Sequence, residues 1–224
     1  MDDFLARTPK DISQMLKDVK AILSQIKHSQ LKTLINEFFS DNQFVEQFSK
    51  APAAVKMHHN YLGGLLEHTH NMLKAASVVL PLYPKVNADL VLAGIFFHDI
   101  GKIDELSYDI AFSYTDSGQL IGHITKSILA VYRKVDDLKA KGITIDKTVT
   151  DALGHIILSH HGEYEFGSPK LPATAEAFMV NYIDDLDAKI SQVTSQIDNE
   201  PGDSNWTGWN NALQTRLYRK RIEE

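Results

Sequence analysis

The stretch DLVLAGIFFHDIGK, residues 89–102, is apolar on nearly every side as far as Phe97 and then turns polar. A helix that is hydrophobic all round is buried, so this segment is predicted to be the central helix of the fold. On a helical wheel, His98, Asp99 and Lys102 fall within an arc of about 100° and project together. One interpretation is a buried salt bridge between Asp99 and Lys102, with His98 as a cap. The other is a metal site, because buried ionisable groups are costly unless they are paired or bind metal.

Further histidines lie on other predicted helices. His68 and His123 each sit at the edge of an apolar stripe, where a histidine is ordinarily packed against the core. His160 and His161 end a helix directly before Gly162, where the helix dipole favours a positive charge. Taken alone, each placement is explained by structure, either by packing against the core or by the helix dipole. Taken with the buried His-Asp pair, these placements favour a shared metal site.

Two aspartates of the last long helix are candidates for the same site. Asp184 and Asp187 flank the apolar side of the segment Asn181–Lys189, whereas Asp185 projects opposite to it. Acidic residues in the middle of a helix are normally solvated, but either of the two flanking residues could face the site. The periodicity does not choose between Asp184 and Asp187.

The composition limits the ligands and the classes of function. The chain has 224 residues, 10 histidines, no cysteine and a formal net charge of -6. Without cysteine, any metal must be held by His, Asp or Glu, and a cytoplasmic location is predicted. The acidic charge argues against a broad surface for duplex nucleic acid, which needs many Lys and Arg contacts. No apolar run approaches the ~20 residues that span a bilayer, and no signal-peptide pattern is present.

The hydrophobic periodicity predicts an all-α helical bundle with no convincing strand. Residues 1–50 are predicted to form N-terminal helices that pack on the core, and residues 51–198 the domain that carries the candidate site. Residues 199–224 are predicted to be a C-terminal loop and helix within the same globular unit. The main helices are predicted at about Tyr61–Val79, from Asn87 or Asp89 to Phe97, and at Leu120–Lys139, Lys147–His161 and Thr174–Ile197.

The order His68, then His98-Asp99, then Asp184, each on a separate helix, resembles the signature of the HD phosphohydrolase superfamily. This resemblance implies an HD-domain helical bundle for residues 51–198. From about Asp3 to Arg221 the chain is also similar to the YhaM-type 3′-5′ exoribonucleases. The segments that carry this similarity are His58–Thr69, His98–Lys102, Tyr114–Gly118, Gly122–Ile124, Ser159–Glu163, Gly167–Leu171 and Tyr182–Lys189.

The resemblance implies two metal ions that share Asp99. The ligands of the first ion would be His68, His98, Asp99 and Asp184, which selects Asp184 over Asp187. The further ligands of the second ion would be His123, His160 and His161. Asp99 and Lys102 are the implied catalytic residues, with Lys102 steadying the scissile phosphate or the leaving oxygen. Imidazole-rich sites with carboxylates suit Mn, Fe, Ni, Co or Zn better than Mg, so one or two such divalent ions are expected.

The expected activity is phosphodiester hydrolysis by a water that the metal activates. The resemblance implies single-stranded RNA or DNA as the substrate, attacked from its 3′ end. YhaM-type enzymes usually carry an N-terminal OB-fold, for which this sequence has no five-strand segment. Two alternatives therefore stay open: a phosphohydrolase of nucleotides or nucleoside monophosphates, and a non-catalytic regulatory module.

Substrate contacts are predicted in two loops. His58 and His59, just before the first ligand helix, could bind a phosphate oxygen or the sugar, or form a surface turn. Ser168 and Lys170 could contact the nucleic-acid backbone, or lie in a solvated loop. The basic tail around Arg216–Arg221 could touch RNA or a second subunit of a homo-oligomer, or form a solvated helix face.

Overall fold

The computed structural model describes residues 5–55, 59–108 and 111–220, and helices make up most of them, which confirms the all-α prediction. The helices are α1 (Ile12–Ser24), α2 (Ser29–Phe39), α3 (Asn42–Lys50), α4 (Gly64–Val79), α5 (Ala88–Phe97), α6 (Lys102–Glu105), α7 (Asp116–Ile121), α8 (His123–Ala140), α9 (Lys147–Ser159) and α10 (Ala175–Asn199). Two antiparallel hairpins add β1 (Leu106–Ser107) with β2 (Ser113–Tyr114), and β3 (Trp206–Asn210) with β4 (Thr215–Tyr218).

Helix α5 lies at the centre of the bundle, as its uniform hydrophobicity predicts. Residues 91–97 are all buried, and the helix contacts α2, α4, α9 and α10. Its start is fixed by Asn87, whose side-chain oxygen accepts a hydrogen bond from the Leu90 N–H (3.1 Å). Phe96 and Phe97 pack against aromatic rings of α2, so the end of α5 is held inside the core. The polar residues that follow Phe97 therefore lie in the interior of the molecule.

The N-terminal helices cover one side of this centre. Helix α1 buries Met15, Val19 and Leu23 and packs along α4. Asp11 caps α1 through hydrogen bonds from the Ser13 and Gln14 N–H groups (2.8 and 3.1 Å). A side-chain cap of this kind typically contributes about 1 kcal/mol. Within the described part of the chain, no helix combines the length and the hydrophobicity that a bilayer crossing requires.

Helix α8 begins three residues later than predicted. Gly122 has a φ of 77°, a left-handed value that favours glycine, and it separates α7 from α8. His123 is therefore the first residue of α8. Helix α9 likewise ends at Ser159, before the His160-His161 pair. These histidines consequently lie at helix ends, where short changes of chain direction can bring them together.

The C-terminal segment is a β-hairpin, so the prediction of a helix there was wrong, as was the expectation of no strand. Thr207 and Leu217 are buried, while Trp206, Arg216 and Tyr218 are exposed, which is the alternation of a strand. The Leu217 N–H donates to Thr207 Oγ1 across the hairpin (3.0 Å). Threonine and aromatic residues favour strands, and this preference outweighs the spacing of basic residues that suggested a helix face.

Candidate metal centre

Side chains from five helices converge at the polar end of α5. Helix α4 contributes His68, the turn after α5 contributes His98-Asp99, and α10 contributes Asp184. Helix α8 contributes His123, and the turn after α9 contributes His160-His161. Their ligand atoms form three overlapping groups within 4.8 Å: His68, His98 and Asp184; His98, Asp99 and His160; and His123, His160 and His161. The structure thus brings together all seven residues that the resemblance implies as ligands.

Asp99 lies between two sets of histidines. Its Oδ2 is 3.3 Å from His98 Nε2 and 3.8 Å from His68 Nε2. Its Oδ1 is 3.4 Å from His123 Nε2 and 3.6 Å from His160 Nε2. Each oxygen of this one carboxylate therefore faces a different set. This arrangement suits a residue that bridges two ions.

Each histidine of the centre has its Nδ1 atom hydrogen-bonded to an oxygen outside it. Backbone carbonyls are the partners at the helix ends: Ile95 for His98 (2.8 Å), Ile157 for His160 (2.8 Å) and Phe166 for His161 (2.7 Å). Carboxylates are the partners of the other two: Asp187 for His68 (2.7 Å) and Glu105 for His123 (3.1 Å). These oxygens can only accept, so the proton lies on Nδ1 and the Nε2 atom is turned towards the centre.

The spacing of the inward-facing atoms fits a metal ion. The Nε2 atoms of His98, His123 and His160 and the Oδ1 of Asp99 are buried and make no hydrogen bond. Leaving such atoms unsatisfied costs about 1–3 kcal/mol each, which a bound cation would offset. Metal–ligand bonds of 2.0–2.2 Å place neighbouring ligands about 3–3.5 Å apart. The distances of 3.3, 3.4 and 3.6 Å from Asp99 to these histidines are close to that spacing.

The charge states of the centre also suit a divalent cation. Burial, together with the neighbouring His98, lowers the pKa of His160 well below its usual value, and burial likewise lowers the pKa of His161. Burial alone would raise the pKa of Asp99, but Lys102 and His98 outweigh it and hold this pKa well below the usual range. At neutral pH the carboxylate is therefore ionised and both imidazoles are neutral, the forms that bind metal.

His68 has the opposite electrostatic environment. Burial would lower its pKa, but hydrogen bonds to Asp184 and Asp187 outweigh burial and raise the pKa to about 9. Asp184 Oδ1 lies 3.1 Å from His68 Nε2, on the side of the metal centre. The two carboxylates thus favour a positive charge at this position, whether a proton or a metal ion carries it.

Lys102 forms the ion pair that the sequence offered as one interpretation. Its Nζ lies 2.6 Å from Asp99 Oδ2, and 12% of its side chain is exposed. Burial would lower the pKa of Lys102, but Asp99 outweighs it and raises the pKa, so the ammonium stays charged. The contact to a substrate phosphate stays a prediction.

The contacts of His58 and His59 with the substrate stay predictions, and the structure describes only the second of these residues. His58 lies outside the described residues. His59 is buried, with its Nε2 2.9 Å from Asp187 Oδ2 and its Nδ1 2.7 Å from the Tyr61 hydroxyl. His59 is thus part of the network behind His68, a position that the sequence did not indicate.

The two loop residues predicted to contact nucleic acid lie outside the metal-binding groups of the described chain. Ser168 is buried, and its hydroxyl donates to the carbonyls of Leu158 (3.1 Å) and Lys170 (2.8 Å). Lys170 is exposed beside α9, and its N–H also donates to the Leu158 carbonyl. Ser168 therefore fastens the loop to α9, and nucleic-acid contact by either residue stays a prediction.

Sequence reasoning missed Glu105. Its Oε1 accepts hydrogen bonds from both the N–H (2.9 Å) and the Nδ1 (3.1 Å) of His123. The only local signal was an acidic residue shortly after Lys102. The contact itself depends on how the β1–β2 hairpin and α7 return the chain to α8, which hydrophobic periodicity does not reveal.

Comparison with known proteins identifies the family of this helical bundle. The profile of the HD domain family matches residues 65–189. The 3′-5′ exoribonuclease YhaM of Bacillus licheniformis is 34% identical over 223 residues, which cover 99% of this chain and 68% of that protein. The protein of the same name from Bacillus subtilis (strain 168) is 34% identical over 221 residues, with 98% and 68% coverage. No solved structure matches the chain. The chain belongs to the HD domain family and, within it, to the family of the YhaM exoribonucleases.

Proposed function

We propose that this protein is a metal-dependent 3′-5′ exoribonuclease that hydrolyses phosphodiester bonds at the 3′ end of single-stranded RNA. The observation that carries this proposal is the convergence of five histidines and two aspartates in three overlapping groups of ligand atoms. The YhaM relatives are 3′-5′ exoribonucleases, which supports RNA as the substrate. We also propose a cytoplasmic location, since the sequence contains no cysteine.

Divalent ions held by these residues would lower the pKa of a coordinated water and neutralise charge on the phosphate. The side chains of His68, His98 and His160 are almost fully buried and would form the floor of the site. His123, Asp184 and Lys102 are 14%, 15% and 12% exposed, so the phosphate would enter from their side. Lys102 would there add a positive charge beside the leaving oxygen while its pairing with Asp99 holds it in place.

A direct test is the hydrolysis pattern of the purified chain with Mn²⁺. The substrates are single-stranded RNA and DNA labelled at the 5′ end, a panel of nucleotides, and bis-p-nitrophenyl phosphate. We expect a ladder of RNA shortened from the 3′ end, with stepwise release of nucleoside monophosphates. Activity confined to mononucleotides would instead identify a nucleotide phosphohydrolase. Inactivity towards every substrate would support a regulatory module.

Metal binding is expected to raise thermal stability. An ion at 100 times its Kd stabilises the folded state by about 2.7 kcal/mol, which corresponds to an increase in Tm of about 5–10 °C for a chain of this size. The measurement compares thermal unfolding in EDTA with unfolding in excess Mn²⁺. His70→Gln serves as a control and should show the same increase in Tm with Mn²⁺ as the wild type. His70 lies on α4, but its hydrogen-bond partner is Asp18 (3.1 Å), which is outside the centre. An equal Tm of the wild type in both solutions would contradict the proposed centre.

Two exposed aromatic rings lie next to the centre and are suited to stacking on RNA bases. Tyr164 and Phe166 are 64% and 67% exposed. They follow His161 closely, and the Phe166 carbonyl accepts the hydrogen bond from His161 Nδ1 (2.7 Å). Stacking of one base on an aromatic ring contributes about 1–3 kcal/mol.

Phe166→Ala is therefore expected to raise the KM for single-stranded RNA by about 5- to 150-fold. Hydrolysis of bis-p-nitrophenyl phosphate should stay unchanged, because the backbone carbonyl that orients His161 is kept. Tyr83→Ala removes a ring that is similarly exposed (52%) on another part of the surface and serves as the control. Equal losses on RNA and on the small substrate would show that the ring supports the fold instead of the RNA.

A further inference from the structure

Asp187 lies on the opposite side of His68 from the metal centre and is held by three donors. Its Oδ2 is 2.7 Å from His68 Nδ1 and 2.9 Å from His59 Nε2. Its Oδ1 accepts a hydrogen bond from Asn71 Nδ2 (3.0 Å). Both oxygens of the carboxylate are therefore fixed, and one of them is shared by two imidazoles.

The cluster of His59, His68 and Asp187 has the composition of a metal site, with ligand atoms within 4.8 Å of one another. Its distances indicate hydrogen bonds instead. Nitrogen–oxygen separations of 2.7 and 2.9 Å are those of hydrogen bonds. Ligands of one ion lie about 3–3.5 Å apart. Asp99 lies at longer distances, 3.3 to 3.8 Å, from its histidines. The carboxylates of Asp99 and Asp187 therefore have different roles.

The role of Asp187 follows from its contact with His68. Asp184 and Asp187 are one helical turn apart on α10, and they contact the two nitrogens of the same ring: Asp184 the Nε2 (3.1 Å) and Asp187 the Nδ1 (2.7 Å). We infer that Asp187 is a positioning residue, which keeps the proton of His68 on Nδ1 and its Nε2 aimed at the metal, and that His59 positions Asp187. This inference rests on the proposed metal centre.

The support for Asp187 extends to the N-terminal segment. The Nδ1 of His59 is 2.7 Å from the Tyr61 hydroxyl, which hydrogen-bonds to Glu67. Glu67 in turn accepts from Thr8 Oγ1 (2.5 Å) and pairs with Lys10 Nζ (2.9 Å). A buried network whose members are all satisfied is rigid and specifies one arrangement. The chain before α1 thereby helps to fix a ring inside the centre.

The backbone at His59 indicates that this arrangement is maintained at a cost. His59 has a φ of 53°, a left-handed conformation that is rare for a residue other than glycine. Such a conformation costs on the order of 1 kcal/mol and persists only where the surroundings enforce it. The packing is tight here, since a Cβ on Gly64 would lie 2.1 Å from the His59 carbonyl oxygen. The strained backbone at His59 places its imidazole within hydrogen-bond distance of Asp187 (2.9 Å).

The test compares the metal affinity of the wild type with that of Asp187→Ala, Asp187→Asn and Asp185→Ala. Loss of a carboxylate behind a ligating histidine typically weakens metal binding by 10–100-fold, which is the loss expected for Asp187→Ala. Asp187→Asn should be intermediate, because its amide oxygen still accepts a hydrogen bond. Asp185 lies on the same helix but is half-exposed and paired with Lys189 (2.8 Å), so Asp185→Ala should bind metal like the wild type. Affinities are measured by competition between the protein and a chelator for Co²⁺ and Mn²⁺.

A second readout is the NMR signal of the His68 Nδ1 proton, which a hydrogen bond to a buried carboxylate protects from exchange. We expect this signal in the wild type and in Asp185→Ala, and its loss in Asp187→Ala. Circular dichroism identifies any variant that does not fold, and Asp187→Asn replaces Asp187→Ala in that case. If the wild type binds metal and both Asp187 variants bind it equally well, Asp187 has no positioning role. If the wild type binds no metal, the proposed function fails, and the Nδ1 signal still decides whether Asp187 holds the ring.

Discussion

Asp99→Ala is expected to abolish metal binding and phosphodiester hydrolysis together. The two oxygens of Asp99 face the two sets of histidines, at 3.3 Å from His98 and 3.4 Å from His123, so one substitution removes a ligand from both. Bound metal contributes several kcal/mol of transition-state stabilisation, and its loss corresponds to a decrease in kcat of about 10³-fold or more. Metal content by mass spectrometry and turnover of bis-p-nitrophenyl phosphate measure the two effects.

Asp99→Asn separates the loss of charge from the loss of volume, because asparagine fills the same space. We expect it to be nearly as inactive as Asp99→Ala. Asp104→Asn is the matched control: Asp104 is an exposed carboxylate on α6, one turn beyond the centre, and it belongs to none of the ligand groups of the described chain. A variant at Asp99 that kept its full metal content would contradict the proposal that Asp99 is a ligand shared by two ions.

Gly101→Ala is expected to destabilise the fold and to disturb the centre at the same time. A Cβ at Gly101 would lie 2.1 Å from the carbonyl oxygen of His123 and 2.6 Å from the backbone nitrogen of Ser127. These atoms are backbone, so α8 itself would have to move. The Gly101 N–H also donates to Ser127 Oγ (2.8 Å), which in turn donates to the His98 carbonyl (2.9 Å). Overpacking of this kind typically costs 1–3 kcal/mol and occasionally more.

The measurement is the free energy of unfolding in urea, together with kcat. Gly154→Ala is the control with the opposite expected sign. Gly154 lies inside α9, and its added Cβ would find Ile128 Cδ1 at 3.6 Å, an ordinary contact. Alanine in place of a helical glycine typically adds about 0.5–1 kcal/mol of stability. If Gly101→Ala were as stable and as active as the wild type, neither the fold nor the centre would require the close approach of α8 to the His98-Asp99 turn.

The part of the fold that the sequence predicted well is the part dominated by burial. Residues 91–97 are apolar on every side, and only a central position satisfies such a helix. The same argument made the polar pair His98-Asp99 conspicuous, because ionisable groups at the end of a buried helix need partners. The edge positions of His68 and His123 were weaker signals, which favoured a shared site only in combination with the pair, and the family resemblance was needed to assign each of them to one ion.

The parts that could not be predicted depend on tertiary contacts. Asp184 and Asp187 occupy one side of α10, and periodicity gave no reason to separate them. The two residues differ because Asp184 contacts the Nε2 atom of His68 and Asp187 contacts its Nδ1 atom. Only the packing of α4 on α10 reveals this difference. The role of Glu105 was missed for the same reason, since its partner His123 lies 18 residues further along the chain. The hairpin at Trp206–Tyr218 was missed for a local reason, because the spacing of basic residues suggested a helix face while threonine and aromatic residues favour strands.

The hydrogen-bond acceptors behind the five imidazoles differ in how readily mutation can alter them. Main-chain oxygens orient His98, His160 and His161, and no change of side chain removes a peptide carbonyl. His68 and His123 depend on Asp187 and Glu105, one on each side of Asp99. Substitution of Asp187 or Glu105 is therefore the route by which evolution or protein engineering can change the orientation of a ligand ring and, through it, the metal preference. Each of the two carboxylates acts on a different half of the centre.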